Sequence, residues 1–582
     1  MAPPTVYASP LPGPPILSTS IFTRLFGASP ASGVGGFPGS VKAFVDAASG
    51  ASVTRSQLKH LALSFAYGLK NNPNTSPFAD RGKTVLIYSP NSLAWPVVLF
   101  GSVAAGLRCT LANSAYTSHE LAYQYNDSGA KLIFSTEDGL DVVRKMFAEI
   151  GVPKAEAEKR IVVLGNDLRW AGGPSAPRSP TSAGLARMED FLDKGALKEE
   201  EKFEGSAANE TVYLCYSSGT TGKPKTTHQN ITSLLDIVRP AYPALTSEND
   251  IMLGILPFYH IYGVAKLVHF PFICGCPVVV QTRFEPETFC AVIQRYKVTH
   301  ALVVPPVLVI LARHPAVDKY DLSSLQILFS GAAPLGQALA KAVKQRLMAN
   351  RGGRGDIGIT QGYGLTETSP TTHLLQVADA DRKMGSIGIL LPNLEARLVE
   401  DDEGKVDAAA GEPGELWIRG KTVMKGYLNN PSATKNAITP DGWFKTGDVA
   451  IRDKDGYYYI VDRRKELIKY KLESVLLTHP DIADAAVIGL ESVSEATELP
   501  RAYVVHAHPE KVKTAKAKLE FANSVIKWME TKVARHKFLR GGVGVIDVIP
   551  KSAAGKILRR ELRERAKQEA AQGELGGIKA KL

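Results

Sequence analysis

Short apolar runs alternate with helix-length segments between residues 40 and 370, and this alternation constrains the fold more than any other feature of the sequence. Strands that alternate with helices form parallel sheets with helices packed on their faces. We therefore predict an α/β fold whose large N-terminal domain contains parallel-type sheets flanked by helices. The runs that we interpret as strands lie at residues 84–89, 131–135, 211–216, 252–257, 277–281, 299–304 and 325–330.

The pattern changes towards the C-terminus. Residues 394–461 hold short strands separated by turns, which is typical of a small antiparallel, barrel-like unit. Residues 472–571 mix strands and helices and indicate a small α+β domain. The predicted organisation is an irregular segment (1–40), a large domain (41–461), a hinge (462–465) and a small mobile C-terminal domain (466–582).

The composition is that of an ordinary globular protein. Hydrophobic residues make up 44% of the 582 residues and charged residues 22%, which excludes a largely disordered chain. The net charge of +11 comes mainly from two short stretches, 463–471 and 551–582, which we interpret as solvated surface or as contacts to a phosphate-bearing ligand. Since they do not form a basic face with interleaved aromatics, we predict no nucleic-acid partner. The five cysteines fit neither a disulfide scaffold nor a zinc site.

The sequence predicts no membrane span and no secretory signal. Its longest uncharged apolar stretch, Leu93 to Leu107, is shorter than the roughly 20 residues that a span requires, and we interpret it as a buried helix. The Pro-rich N-terminus lacks a charged segment followed by an apolar run. The last three residues, Ala580, Lys581 and Leu582, are a conservative variant of the S-K-L peroxisomal address. We therefore expect a peroxisomal protein, with the peroxisomal import receptor as a partner, or otherwise a cytoplasmic one.

The strongest chemical signal is the motif Y-S-S-G-T-T-G-K-P-K at residues 216–225, directly after an apolar strand. Its hydroxyl groups, its glycines and its lysines suit a backbone nest around a polyphosphate. It is not a Walker A loop, because two residues separate the glycines and Pro224 follows Lys223. The motif predicts nucleotide binding through its residues Ser217, Ser218, Gly219, Thr220, Thr221, Gly222 and Lys223.

This motif resembles the phosphate loop of the adenylate-forming superfamily, which contains acyl- and aryl-CoA synthetases, firefly luciferase and the adenylation domains of peptide synthetases. The 4-coumarate–CoA ligase-like branch is the most similar. The resemblance runs from about residue 40 to the C-terminus and rests on further blocks in the family's order. These blocks are LPFYHIYG (256–263), SGAAPLG (330–336), QGYGLTETSP (361–370), GWFKTGD (442–448), VDRRKELIK (461–469) and PKSAAGKILRREL (550–562).

The resemblance implies roles for individual residues. His260 would gate the acid-binding pocket, and Tyr363 would stack on adenine. Glu367 would hold Mg²⁺ together with Thr220, as a hard oxygen ligand beside phosphates can. The implied catalytic residues are Lys556, His260, Thr366, Glu367 and Lys469, and the implied nucleotide-binding residues outside the phosphate motif are Gly331, Ala332, Ala333, Tyr363, Gly364, Asp448 and Arg463.

The resemblance implies further roles for charged residues. Asp448 would accept hydrogen bonds from both ribose hydroxyls. Lys556 would reach the acyl carboxylate and the α-phosphate, where a cation stabilises the charge that develops during displacement. Arg463 would contact ribose or phosphate, and Lys465 occupies the hinge position.

Taken together, the resemblance implies an ATP-dependent acid–CoA ligase with ATP, Mg²⁺ and coenzyme A as cofactors. It would activate an aryl, hydroxycinnamate-like acid or a medium-chain carboxylic acid through an acyl-adenylate and then form the thioester. We expect the acid pocket around residues 236–242, 262–266 and 329–335, whose apolar and aromatic residues suit an apolar or aromatic acid.

Two departures from the family pattern leave alternatives open. About eight residues of the usual loop are missing after Lys471, and about three are missing between Lys225 and His228. The loop after Lys471 lines the pantetheine channel in the family. The alternatives are an adenylating enzyme impaired in CoA transfer and a catalytically silent nucleotide-binding homologue.

Overall fold

The computed structural model describes residues 4–27, 33–216, 224–243, 245, 249–349, 351, 355–401, 403–463, 472–473, 475–492, 497–533, 538–551 and 557–571. The chain divides into two compact units. The first contains Met1–Arg397, Trp417–Thr446 and Asp453–Tyr459, and the second contains Leu398–Leu416, Gly447–Arg452 and Ile460–Leu582.

Most strands are short, and a strand overlaps each of the seven predicted runs. In chain order they are β1 (Tyr7–Ala8), β2 (Lys42–Asp46), β3 (Ser52–Thr54), β4 (Thr84–Tyr88), β5 (Arg108–Ala112), β6 (Ala130–Thr136), β7 (Ile161–Leu164), β8 (Ala186–Arg187), β9 (Thr211–Cys215), β10 (Lys225–Thr227), β11 (Met252–Gly254), β12 (Val278–Val280), β13 (His300–Val303), β14 (Ile327–Ser330), β15 (Gly358–Gly364), β16 (Thr371–Leu374), β17 (Ile389–Leu390), β18 (Leu394–Val399), β19 (Gly414–Gly420), β20 (Phe444–Arg452), β21 (Tyr458–Arg463), β22 (Ile482–Ser492), β23 (Thr497–His506) and β24 (Val543–Val545).

The helices lie between these strands. They are α1 (Ile21–Phe26), α2 (Arg55–Asn71), α3 (Ala94–Ala104), α4 (Ser118–Ser128), α5 (Leu140–Glu149), α6 (Lys154–Lys159), α7 (Glu189–Leu192), α8 (His228–Ala241), α9 (Ile261–Gly263), α10 (Phe270–Cys274), α11 (Pro286–Tyr296), α12 (Pro305–Arg313), α13 (Ala316–Lys319), α14 (Gln337–Ala349), α15 (Pro431–Ala437), α16 (Ala515–Glu530) and α17 (Arg559–Ala571). A π-helical turn, Val264–His269, joins α9 to α10.

Two large sheets, both mostly parallel, dominate the first unit. The seven-stranded sheet has the order β10-β9-β5-β4-β6-β7-β8, and only its β10–β9 pair is antiparallel. The nine-stranded sheet has the order β17-β16-β15-β14-β13-β11-β12-β2-β3, with parallel pairs from β15 to β2. The predicted α/β class is therefore confirmed, because strands that alternate with helices pair in parallel.

Helix α3 shows why the apolar stretch from Leu93 to Leu107 is a core helix. All eleven of its residues are buried, so it has no polar face. Pro96 lies in its first turn, where a missing N–H costs little. Across the described part of the chain, no helix combines the length and the apolar character needed to cross a bilayer.

The remaining strands form two smaller sheets. Strands β1, β18, β19, β20 and β21 are ordered as named, with β1 antiparallel to β18, as expected for the small strand-rich region. In the second unit, β22 pairs antiparallel with β23, and β24 adds in parallel. The apolar faces of α16 and α17 contribute Val525 and Leu562 to the cores of that unit. This is the mixed α+β pattern that the sequence predicts.

Candidate active site

The carboxyl ends of β14 and β15 carry two of the predicted site blocks. The two strands are parallel neighbours, and Ser330 lies opposite Gln361. The Gln361 side chain accepts a hydrogen bond from the Leu335 amide at 3.3 Å and donates one to the Ser386 carbonyl at 2.8 Å. The loop after β14 is thus fastened to β15. Ligands bind open α/β sheets outside the carboxyl ends of the strands, so this edge is where a site is expected.

The loop after β14 approaches the predicted gate. A Cβ added at Gly331 would lie 2.8 Å from the ring of Tyr262, so a side chain at this position would have to displace that ring. The Tyr262 hydroxyl donates to the Phe329 carbonyl at 3.4 Å. Ala332 has a φ of +66°, a strained conformation of the kind found at functional sites. Ala333, also predicted in the site, is half-buried beside it.

His260 stands at the start of α9. Its Nδ1 accepts the Tyr262 backbone N–H at 3.2 Å, which caps the helix. With Nδ1 as an acceptor, a neutral His260 ring carries its proton on Nε2. The half-buried imidazole is therefore oriented by the backbone and is within one turn of the ring that packs on Gly331.

Tyr363 lies near the end of β15 and is half-buried. Its ring centroid is 5.9 Å from that of His373 on β16, with the rings 61° apart. Burial lowers the pKa of His373 to about 3, so this support is neutral at physiological pH. Gly364 is required next to Tyr363, because a Cβ there would lie 1.6 Å from the Pro370 carbonyl oxygen.

Thr366 and Glu367 form a 3₁₀ turn directly after β15. Thr366 is buried, and the turn is held by Thr368, whose hydroxyl donates to the Pro370 carbonyl at 2.6 Å. The half-buried Glu367 carboxylate accepts a hydrogen bond from the Tyr427 hydroxyl at 3.1 Å. Its carbonyl accepts the Met424 amide at 2.8 Å. Glu367 is therefore positioned by the segment 424–429.

The same segment contacts the far end of the phosphate motif directly and is linked to its near end through Asp127. On the near side, the Tyr216 hydroxyl donates to Asp127 at 2.5 Å, and Asn429 donates to the Asp127 carbonyl at 3.2 Å. On the far side, the Lys225 amide donates to the Gly426 carbonyl at 2.9 Å. Residues 217–223 lie outside the described residues, but the motif begins and ends beside the segment that holds Glu367.

The far end of the motif is electropositive. Burial lowers the pKa of Lys225, and the neighbouring cations Lys425 and Arg108 lower it further. Burial also lowers the pKa of Arg108. Cations that repel one another in a partly buried place favour an anionic ligand. Strand β10 covers only Lys225–Thr227, and its last residue, Thr227, caps α8.

Asp448 belongs to the second unit. It lies in β20 and is buried, with 4% of its surface exposed. Beside it, the Gly447 amide donates to the Glu415 carboxylate at 3.0 Å. Arg463 is the last residue of β21, and its side chain is not among those described. The predictions for Lys469 and Lys556 fall outside the described residues, as does that for Lys465.

The described residues suit a magnesium ion that arrives with the nucleotide. They do not supply the ligands for a metal cluster held by the protein alone. No group of three or more His, Cys, Asp or Glu side chains that could hold a metal occurs among them. Mg²⁺ is usually held by one or two carboxylates, with phosphate and water oxygens completing its shell. The oriented carboxylate of Glu367 fits that donor set.

Sequence reasoning missed Tyr427 and Asp127. The Tyr427 to Glu367 hydrogen bond joins residues 60 positions apart, and Tyr216 to Asp127 joins residues 89 apart. Neither residue lies in one of the sequence motifs. Only the folded topology brings them to the site.

Comparison with known proteins agrees with this geometry. The AMP-binding enzyme model matches residues 34–428, and the AMP-binding enzyme C-terminal domain model matches residues 471–556. A probable 4-coumarate–CoA ligase 1 of Dictyostelium discoideum is 36% identical over 83% of this chain and 86% of its own length. The luciferin 4-monooxygenase of Photinus pyralis is 33% identical over 90% of this chain and 91% of its own length.

Solved structures show the same fold. An anthranilate CoA ligase in complex with anthranoyl-AMP superposes with a TM-score of 0.77 at 22% identity, covering 96% of this chain and 99% of that one. A benzoate CoA ligase from Burkholderia xenovorans LB400 gives a TM-score of 0.75 at 21% identity, covering 94% and 99%. The family models span most of the chain and the sequence relatives exceed 30% identity. The chain therefore belongs to the adenylate-forming AMP-binding enzyme family and is an acid–thiol ligase related to the 4-coumarate–CoA ligases.

Proposed function

We propose that this protein activates an aryl, hydroxycinnamate-like acid or a medium-chain carboxylic acid with ATP and transfers the acyl group to coenzyme A. The observation that carries the proposal is that one segment, 424–429, contacts Glu367 and the far end of the phosphate motif and is linked to the near end through Asp127. The buried Tyr262, whose backbone N–H donates to His260 and whose hydroxyl donates to the Phe329 carbonyl, supports an apolar or aromatic acid.

In the first half-reaction, a carboxylate oxygen of the acid attacks the α-phosphorus of ATP. The new oxygen–phosphorus bond gives the acyl-adenylate, and the bond to the β-phosphate breaks to release pyrophosphate. Mg²⁺, when bound, neutralises charge on the phosphate oxygens. The protein's part is to orient: Tyr363 stacks the adenine, Thr366 binds the α-phosphate, Glu367 holds the ion, and Lys556 stabilises the charge that develops.

In the second half-reaction, the sulfur of coenzyme A attacks the acyl carbonyl carbon. The carbon–sulfur bond forms, the carbon–oxygen bond to AMP breaks, and the thiol proton is released. We propose that the hinge at 462–465 lets the small domain present Lys556 for the first step and a different face for the second. Asp448 and Arg463 would bind ribose, and Lys469 would serve the site from the small domain.

A product assay tests the proposal. Purified protein receives ATP, Mg²⁺ and cinnamic, benzoic, phenylacetic or C6–C12 acids, with and without CoA, and products are identified by mass. Acyl-CoA is the expected product. Acyl-adenylate that accumulates in the presence of CoA would contradict the thioester step. No product from any acid would overturn the proposal. The control is Lys556→Ala, which should abolish adenylate formation while leaving the thermal unfolding midpoint unchanged.

We also propose that the C-terminal Ala580, Lys581 and Leu582 direct the enzyme to peroxisomes through their import receptor. These residues lie outside the described part of the chain, and the support is the likeness to the S-K-L address. A fluorescent fusion at the N-terminus should colocalise with a peroxisomal marker, and deletion of the three residues should leave it in the cytosol. Equal distribution of both fusions would contradict this localisation.

A further inference from the structure

Asn91 is a buried asparagine that links the two large sheets. It lies between β4 of the seven-stranded sheet and α3, and only 3% of its surface is exposed. Its Nδ2 donates to the Leu256 carbonyl at 2.9 Å, and its Oδ1 accepts the Phe258 amide at 2.8 Å. These partners follow β11 of the nine-stranded sheet and are 165 and 167 positions away along the chain. A buried carboxamide is costly unless it is hydrogen-bonded, and this one makes its bonds across the sheet boundary.

The same carboxamide meets the carboxyl ends of two strands. Its Nδ2 lies 3.4 Å from the carbonyl oxygens of Gly254, the last residue of β11, and of Gln281, which follows β12. The Gln281 amide in turn donates to the Gly254 carbonyl at 3.1 Å. The position therefore needs a side chain that both donates and accepts. A leucine would leave buried backbone groups unpaired, and an aspartate would set a charge against carbonyl oxygens.

Pro257 carries this constraint to His260. The two bonds to Leu256 and Phe258 fix the residues on both sides of Pro257, whose φ is already fixed by its ring. The Pro257 carbonyl accepts the His260 amide at 3.1 Å. A Cβ at Gly263 would lie 2.0 Å from the same carbonyl oxygen, so α9 packs directly against it. One residue thus separates the Asn91 contacts from the backbone of His260.

The turn also sets the direction of the imidazole. His260 Nδ1 accepts the Tyr262 amide at 3.2 Å, and the His260 carbonyl accepts the Val264 amide at 2.9 Å. Trp95 on α3 packs edge-on against Phe258, with ring centroids 5.5 Å apart and the rings 68° apart. The region that contains Asn91 therefore supports this turn by packing as well as by hydrogen bonds.

We propose that Asn91 is a positioning residue for His260. Its carboxamide holds the turn 256–260, so that the imidazole stands at the acid pocket, and Asn91 itself does not touch the acid. This inference rests on the proposed function and on the gating role that the family resemblance implies for His260. A displacement of about 1 Å in a group that orients a substrate can cost about 100-fold in rate, so losing these bonds should affect the use of the acid.

The test measures pyrophosphate release by the full chain, with the acid and ATP varied in turn. Cinnamic, benzoic, phenylacetic and C6–C12 acids are screened, and the most active is used. Asn91→Leu should lower kcat/KM for the acid by about 10- to 100-fold and leave KM for ATP within about twofold. In a His260→Ala background, Asn91→Leu should have little further effect, because the side chain that it positions is gone. A merely structural loss would lower kcat/KM by the same factor in both backgrounds.

Asn230→Leu is the matched control. Asn230 is also buried, with 7% of its surface exposed, and its Oδ1 accepts the Thr227 amide at 2.8 Å. Its Nδ2 donates to the carbonyls of Lys421 and Val423 at 2.7 and 2.9 Å. This carboxamide makes as many close backbone bonds as Asn91 but none to the turn 256–260 in the described structure. Its replacement should have the same effect with and without His260→Ala.

Asn91→Asp is the second variant should Asn91→Leu not fold, because it keeps the acceptor for the Phe258 amide and loses the donor. It is read in the same two backgrounds, and thermal unfolding checks the fold of each variant. A folded Asn91 variant that keeps the wild-type kcat/KM for the acid would overturn the inference. Equal losses with and without His260→Ala would overturn it too, while leaving the proposed function intact. If the wild type releases no pyrophosphate with any acid, the proposed function fails and the inference fails with it.

Discussion

Glu367 and Lys266 both follow strands of the nine-stranded sheet, but the surroundings of their charged groups are opposite in kind. Glu367 is half-buried and receives a hydrogen bond from Tyr427. Lys266 is buried, with its amine 5.4 Å from the centroid of the Phe270 ring, and no carboxylate within the described residues pairs with it. The Glu367 carboxylate, in the predicted nucleotide site, is thus positioned before any ligand binds. Lys266, in the stretch 262–266 that the sequence predicts in the acid pocket, has no such support.

On the proposed function, this difference corresponds to the two kinds of substrate: ATP, which is constant, and the acid, which varies. ATP is the same in every adenylate-forming reaction, so its groups can be held by short backbone turns around Gly364 and Thr368. The acid differs between enzymes, so the residues of its predicted pocket, 262–266 and 329–335, are expected to vary with the acid. Function is therefore argued from the site, because the fold alone accommodates many acids.

The largest expected effect comes from breaking the nucleotide side at its tightest point. In Gly364→Ala, the new Cβ would lie 1.6 Å from the Pro370 carbonyl oxygen, a contact that backbone atoms cannot relieve. We expect the free energy of unfolding to fall by about 3 kcal/mol or more and adenylate formation to be lost. Thermal unfolding and pyrophosphate release measure the two effects.

Gly336→Ala is the control for that experiment. A Cβ at Gly336 would meet no described atom within 4 Å, although the residue lies in the loop after β14. Its stability should change by no more than about 0.5 kcal/mol. Equal stability of Gly364→Ala and the wild type would show that the close approach of β15 to Pro370 is not needed for folding stability.

A smaller effect is expected on the acid side. In Gly331→Ala, the new methyl group would lie 2.8 Å from the Tyr262 ring, which can move because it is a side chain. Overpacking of this kind costs about 1–3 kcal/mol, so we expect KM for the acid to rise about tenfold or more. KM for ATP should change little. Steady-state kinetics with each substrate varied in turn would check this, and a rise confined to KM for ATP would contradict the division into two sides.

The sequence predicts local structure well and contacts between distant segments poorly, for a physical reason. Apolar runs such as 84–89 form the predicted strands, because a short run of consecutive apolar residues suits a strand that is buried on both faces. The motif 361–370 places Tyr363 and Glu367 at one strand end, since a turn is a local structure. By contrast, the bond from Tyr427 to Glu367 and the burial of Lys266 without a carboxylate depend on contacts between distant segments.

The charge on Lys266 also predicts a pH effect on stability. Its pKa is about 7 in the folded protein and near 10.5 in the unfolded chain, so between these values the unfolded state binds more protons. Stability then rises with pH over that range. Relative to Lys266→Met, the wild type should gain about 1–2 kcal/mol between pH 6.5 and 8.5. Denaturation at both pH values measures the difference, and a gap between the two proteins that is constant with pH would show that Lys266 keeps its charge on folding.

The smallest effect should come from loosening Glu367 without removing it. Tyr427→Phe deletes one hydrogen bond to the carboxylate, at 3.1 Å, and leaves the ring in place. A hydrogen bond to a charged group contributes about 1.5–3 kcal/mol, but water reaches a half-buried carboxylate and replaces part of it. We expect the Mg²⁺ concentration for half-maximal pyrophosphate release to rise about three- to tenfold, with little change in KM for the acid.

Tyr296→Phe supplies the comparison for this last variant. The Tyr296 hydroxyl also donates, to the carbonyls of Asp46 at 3.3 Å and Ala47 at 3.0 Å, but it has no contact with Glu367 in the described structure. Its Mg²⁺ titration should match the wild type. An unchanged titration in Tyr427→Phe would mean that the segment 424–429 positions Glu367 through its backbone alone, by the bond from Met424. The position of Glu367 would then depend on this backbone contact rather than on the Tyr427 side chain.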